Sequence, residues 1–188
     1  MPPLPPPEER ALQALGAKRA RPGSPTVPEF VRTLREIAKE AKGLVAVLDA
    51  DGVAGERHLL SAWAHLGRSR SRGAERLRDR SAEFVLYVAG DDQLPRALAK
   101  VGVGERTERF VVVAERPLEP ASLLERFGLI ADPSAYPRPV TEAVLERLGI
   151  GPEDRAAVPS TSWEGLVLER VALVELAGAP PRASGPRP

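Results

Sequence analysis

Apolar positions follow two rhythms along this chain, and both fall between about residues 29 and 177. Phe30, Val31, Leu34, Ile37, Ala38 and Ala41 recur at helical spacing, and Gly43 can end that helix. The unbroken apolar run Leu44-Val45-Ala46-Val47-Leu48 reads as a buried strand, followed by an Asp49-Ala50-Asp51-Gly52 turn. A helix from Gly55 to about Leu66 is expected to bury Leu59, Leu60, Trp63 and Leu66. The segment Ala82–Val88 is ambiguous by pattern: its aromatic and β-branched residues favour a strand, but it does not alternate. Gln93 to Val101 reads as a short helix, capped by Asp91 or Asp92 and ended by Gly102. Phe110 to Ala114 reads as a second buried strand.

Further on, Pro117 fits the first turn of a helix reaching Phe127, with Gly128 as its stop. Leu129 to Tyr136 reads as short and irregular, with the character of an edge strand. Val140, Val144, Leu145 and Leu148 define another helix, ended by Gly149. The last helix starts at a Ser/Thr cap near Thr161 and Ser162 and runs from Trp163 to about Leu176. Its apolar residues cover nearly the whole circumference, so it must be buried on more than one side. Either it is a central core helix, or one face packs on the domain and another receives a partner.

The ends differ. Prolines crowd residues 2–28 and 180–188, and proline fixes φ and removes a backbone donor. Residues 1–28 and 178–188 are therefore expected to be disordered tails around a single domain at 29–177. Within the first tail, Glu8 to Lys18 has the composition of a fraying helix, with too few apolar residues to anchor it.

The composition narrows the classes. A hydrophobic fraction of 43% with 28% charged residues is that of a globular domain, and with a net charge of +1 any attraction to nucleic acid must come from local clustering of charge. The absence of cysteine removes disulfides and thiolate chemistry and fits a reducing compartment, the cytoplasm. No apolar run approaches the roughly 20 residues of a membrane span.

Candidate chemistry is sparse. Arg68, Arg70, Arg72, Arg76, Arg78 and Arg80 crowd a connector opposed locally only by Glu75 and Asp79. Guanidiniums bind phosphate bidentately and stack on bases, so this run is either a solvated loop or an RNA contact. His58 and His65 lack a second ligand at metal spacing. The Asp49–Gly52 turn lacks the third oxygen ligand and distal Glu of a calcium loop. Gly102-Val103-Gly104 lacks the third glycine of a dinucleotide fingerprint and follows a helix. No Walker loop or nucleophile elbow is present, so no catalytic group, cofactor or metal is assigned.

An ordered series of segments resembles the kinase-binding subunit family of the KEOPS complex, the p53-related-kinase-binding protein family. It comprises Val47-Leu48-Asp49-Ala50-Asp51, His58-Leu59-Leu60-Ser61-Ala62 and Glu83-Phe84-Val85-Leu86, then Gly90, Gln93-Leu94-Pro95-Arg96-Ala97-Leu98, Gly102-Val103 and Val111-Val112-Val113. Leu168 to Leu176 resembles the family's last helix. The resemblance spans about residues 44–176. It departs at Pro95, in the longer and more basic Arg68–Arg80 connector, and before Leu44, where the family tends to a strand and hairpin and the pattern here reads as a helix.

The resemblance implies an α+β fold, a single mixed domain with helices packed around a small, mainly antiparallel sheet, and it makes Ala82–Val88 a helix. It implies a noncatalytic adaptor that binds the small Bud-type atypical kinase of KEOPS and the single-stranded 3′ CCA end of tRNA. Other KEOPS subunits are then indirect partners, in support of N6-threonylcarbamoyladenosine modification of tRNA. On this expectation Arg57 and His58 at one helix end, and Arg68, Arg70 and Arg72 after the other, flank one RNA groove with Lys100. Leu166, Arg170 and Leu173 form an outward, kinase-binding stripe, while Trp163, Val167, Val171 and Val174 face the core. The alternative is an independent RNA- or DNA-binding module using the Arg68–Arg80 connector; an unrecognised small enzyme is a third class.

Overall fold

The computed structural model describes residues 12–22, 25–116 and 118–177. Among the described residues, four strands form one antiparallel sheet: β1 (Gln13–Arg19), β2 (Val45–Asp49), β3 (Arg109–Ala114) and β4 (Leu129–Ala131), in the order β2-β3-β1-β4. Eight α-helices accompany them: α1 (Val27–Ala41), α2 (Glu56–Ser71), α3 (Arg80–Ala89), α4 (Leu94–Val101), α5 (Pro120–Arg126), α6 (Glu142–Arg147), α7 (Pro152–Ala156) and α8 (Trp163–Ala177). The fold is thus the α+β arrangement expected, with helices on both faces of a small antiparallel sheet.

Alternation along β3 explains why its sequence is a continuous apolar run. Phe110, Val112 and Ala114 point to one face, where α1 contributes Phe30 and Ile37 and α5 contributes Leu123 and Leu124. Val111 and Val113 point to the other, against α2, α3, α4, α6 and α8. A strand covered on both faces has no polar side to show.

Several helix boundaries follow from local caps. The Thr26 amide donates to Glu29 at the start of α1 (2.7 Å), the Asp79 carboxylate accepts from the Ala82 amide at the start of α3 (2.9 Å), and Gly90 ends α3 with φ of 60°. Ala82–Val88 is indeed helical, within α3, and all of Glu83 to Ala89 is buried. The expected helix at Pro117 starts instead at Pro120, and α7 was not anticipated. No helix among the described residues is long and apolar enough to cross a membrane.

The boundary of the first tail needs correction. Residues 13–19, placed in the disordered 1–28 segment and compatible with a fraying helix, form an interior strand paired with β3 on one side and β4 on the other. The local sequence hides this: Ala14, Gly16, Ala17 and Lys18 have poor strand propensity, and the strand exists because a vacant slot in the sheet accepts it. Gly16 fits because a Cβ there would lie 2.5 Å from the Asp132 carbonyl oxygen and 2.8 Å from the Tyr136 nitrogen. Arg19 pins the strand's end. Its buried guanidinium donates to the carbonyls of Thr107 (3.0 Å), Pro25 (2.5 Å) and Glu105 (3.2 Å) and lies over the Phe110 ring. Both a strand and a helix therefore precede Leu44. Residues 1–11 and 178–188, the outer parts of the expected tails, lie outside the described residues.

Candidate functional site

The Arg68–Arg80 segment is not one connector. Helix α2 continues to Ser71, so Arg68 and Arg70 are helical and the link to α3 begins at Arg72. Two ion pairs show that α2 and α8 run in the same direction. Arg57, near the start of α2, donates to Glu164 near the start of α8 at 2.6 Å; Arg72, at the end of α2, donates to Glu175 near the end of α8 at 2.6 Å.

Glu175 is a hub. Its carboxylate lies 2.5 Å from His65 Nδ1 and 3.6 Å from Arg68 Nε as well. Burial raises its pKa, but the His65 hydrogen bond and the positive charges of His65, Arg68 and Arg72 outweigh that and hold it below the ordinary glutamate range. Burial dominates at His65, pulling its pKa down more than Glu175 raises it.

The arginines sort into two groups. Arg57 and Arg72 have side chains 69% and 64% exposed, and Arg68 is 44% exposed, so all three remain within reach of solvent. Arg70 turns inward. It donates to the carbonyls of Leu77 (3.0 Å) and Arg78 (3.2 Å) and lies 3.1 Å from the fully buried Glu83. Arg76 likewise donates to the Val174 carbonyl (2.5 Å), and Arg80 pairs with Glu115. Arg70 is therefore an internal brace between α2 and the loop before α3, and its assignment to an RNA groove is withdrawn.

His58 is corrected for a related reason. It has no exposed surface. Its Nδ1 accepts the Ala54 amide proton (3.0 Å), which leaves the ring proton on Nε2 to donate to the Val88 carbonyl (2.8 Å). Burial, only partly opposed by that bond, pushes its pKa down to about 4. A neutral, enclosed imidazole with both nitrogens engaged offers nothing to a phosphate.

Lys100 is mostly buried, and its ammonium pairs with Asp91 at 3.1 Å. Asp91 is pushed up by burial but held at about 2 by hydrogen bonds from Arg96, the Gln93 amide and Lys100. The helical rise separates Arg57 from Arg72 by about 22 Å along α2. The expected single groove is instead a strip of three exposed arginines, Arg57, Arg68 and Arg72, along the α2–α8 seam.

Helix α8 divides only in part as expected: Leu166, placed on the outward stripe, is partly buried and packs against the core beside Trp163. Val167, Val171 and Val174 are buried and Trp163 packs against the same core. Leu173 is 44% exposed, and with Leu166 and Arg170 it lines a shallow cleft of about 220 Å³ completed by Ile150, Asp154 and Glu169. Arg170 pairs with Asp154 across it at 3.3 Å. Behind Arg170, α8 meets the end of α3 closely: a Cβ on Gly90 would lie 3.0 Å from the Arg170 Cβ. Leu176, 67% exposed, extends the apolar surface one turn beyond the stripe.

Several organising residues escaped the sequence reading. Asp49 accepts from Thr107 Oγ1 (3.0 Å) and Arg147 (2.9 Å), and Asp51 pairs with Arg109 (2.8 Å) and Arg138 (2.6 Å). The acidic turn thus fastens α6 and the segment after β4 to the end of the sheet. Glu164 and Glu175 carried one readable signal: three helical turns separate them, so they share a face of an otherwise apolar helix. Compared with known proteins, the chain matches no protein-family model and no curated protein.

Proposed function

We propose that the chain is a noncatalytic KEOPS adaptor that seats a small Bud-type kinase on α8 and contacts the 3′ CCA end of tRNA, in support of N6-threonylcarbamoyladenosine modification in the cytoplasm. The observation that carries this reading is the shallow cleft on the outer side of α8, where the exposed Leu173 lies with Arg170 and the half-buried Leu166, on a helix whose valine face is core. Support also comes from where the resembling segments lie. His58–Ala62, Glu83–Leu86, Gly90, Gln93–Leu98 and Leu168–Leu176 fall on α2, α3, α4 and α8, which pack together on one sheet face. Individual residues have specific structural tasks there: His58 bridges to Val88, Glu83 anchors Arg70, and Gly90 makes room for Arg170.

In this reading Arg57, Arg68 and Arg72 provide the phosphate contacts, since their guanidiniums reach solvent. Purification from native extract, with bound protein and RNA identified, tests the reading. Recovery of a small kinase and of tRNA is expected. Recovery of RNA without a kinase would favour an independent nucleic-acid-binding module, and equal affinity for tRNA with and without its CCA end would remove the tRNA contact as proposed.

A further inference from the structure

Every exposed arginine on the α2 strip is already held by a carboxylate of α8. Glu164 takes Arg57 (2.6 Å), and Glu175 takes Arg72 through one oxygen (2.6 Å) and Arg68 through the other (3.6 Å). A guanidinium edge that faces a carboxylate cannot present the same donors to a phosphate. We propose that Glu175 is an autoinhibitory contact: an internal anion that occupies Arg68 and Arg72 and must be displaced before an RNA backbone can use them. The inference rests on the reading of α2 as an RNA-facing surface and supplies that surface with a regulator.

Three observations favour a displaceable contact over a purely structural one. The side chains of Arg68 and Arg72 are 44% and 64% exposed, whereas the inward Arg70 has a side chain 25% exposed and a partner with none of its surface exposed. The guanidinium side of each pair is screened by solvent, so releasing it costs little stability, while the Glu175 side chain, 20% exposed, keeps its place in the seam. Glu175 is also not stranded when the arginines leave, because His65 stays against it at 2.5 Å. The carboxylate keeps a partner in both states, and the guanidiniums exchange one anion for another.

The test measures binding of a tRNA transcript with an intact CCA end to the full-length chain over a series of salt concentrations. Glu175→Gln is expected to bind about threefold or more tighter than the unaltered chain, and the dependence of log affinity on log salt should steepen by about one, as newly available cations release counterions. Adding Arg72→Gln to that variant should remove most of the gain. Glu125→Gln removes the same charge from an exposed position on α5, on the opposite face of the sheet, and should leave affinity unchanged. If Glu175→Gln does not melt cooperatively, Glu175→Asp serves instead. Its shorter side chain withdraws from Arg72, and tighter binding is again expected.

Equal tightening by Glu125→Gln and Glu175→Gln would reduce the effect to net charge and overturn the proposal. Binding by the unaltered chain with no gain in either Glu175 variant would overturn the autoinhibitory contact while leaving the RNA reading intact. No binding by any variant would overturn the RNA reading and this inference with it. Binding seen only when Glu175 is altered would support both.

Discussion

His58 Nε2 donates to the Val88 carbonyl oxygen at 2.8 Å, joining the first turn of α2 to the last turn of α3 through a buried, neutral imidazole. Its pKa of about 4 against an ordinary 6.5 makes stability depend on pH. A depressed folded-state value means the contribution is complete above pH 6.5 and is lost as pH falls towards 4, because the unfolded chain takes the proton first. The loss is on the order of 3 kcal/mol. Urea midpoints should fall steadily from pH 7 to 4.5, with His65 adding in the same direction. His58→Gln should start lower, since the Ala54 amide loses its acceptor, but should show a flatter slope over that window. A midpoint unchanged down to pH 4.5 in the unaltered chain would contradict this account.

Gly90 is required twice over, by φ of 60° and by a Cβ that would lie 3.0 Å from that of Arg170. Gly90→Ala should destabilise by about 1–3 kcal/mol through backbone strain and displacement of α8. Gly165→Ala, where no heavy atom lies within 4 Å of the added carbon, should be neutral or stabilising. Similar denaturation midpoints for the two variants would show that α8 is not seated closely at Gly90.

Deleting residues 1–20 should remove cooperative unfolding, because it takes β1 from between β3 and β4. This replaces the expectation that residues 1–28 form a disordered tail. Gly16→Val should reproduce much of the damage without shortening the chain, given the 2.5 Å approach to the Asp132 carbonyl. Retention of a sharp thermal transition in the deleted chain would contradict the pairing of β1.

Leu173→Glu should leave the isolated chain's melting temperature nearly unchanged, since that residue is 44% exposed. Kinase binding by calorimetry should weaken by several kcal/mol, the cost of an unpaired charge in a desolvated contact. Val171→Glu, at a position with no exposed surface, should unfold the chain instead. Unaltered kinase affinity for Leu173→Glu would remove this face of α8 from the interface.

The parts of the fold legible in the chain were those whose neighbours lie close in sequence or whose residue types admit one environment. Leu44–Leu48 and Phe110–Ala114 are strands buried on both faces, and only continuous apolar runs suit that setting. The valine face of α8 and the exposure of Leu173 followed from helical spacing alone, whereas the contact of Leu166 with the core did not. The first strand was not legible, because its residues favour no strand and its partners Phe110–Ala114 and Leu129–Ala131 lie far along the chain. The arginine cluster misled for the same reason. Local counting found only Glu75 and Asp79 as opponents, while Glu83, Glu115 and Glu175 neutralise it from neighbouring and distant elements. His58 was placed on the correct helix, but the face it occupies is set by the 3₁₀ turn at Ala50–Gly52 and the approach of α3, neither of which periodicity reports.

The strand order β2-β3-β1-β4 also sets when this protein can begin to be itself during synthesis. The first strand to leave the ribosome has no neighbour until Arg109–Ala114 emerges, and its other edge waits for Leu129–Ala131. Closing so long a loop costs entropy before any pairing repays it, and a topology dominated by such distant partners folds slowly. A nascent chain halted before β3 holds β1 and β2 with no strand to join them, and their apolar faces are open to chaperones or to other copies.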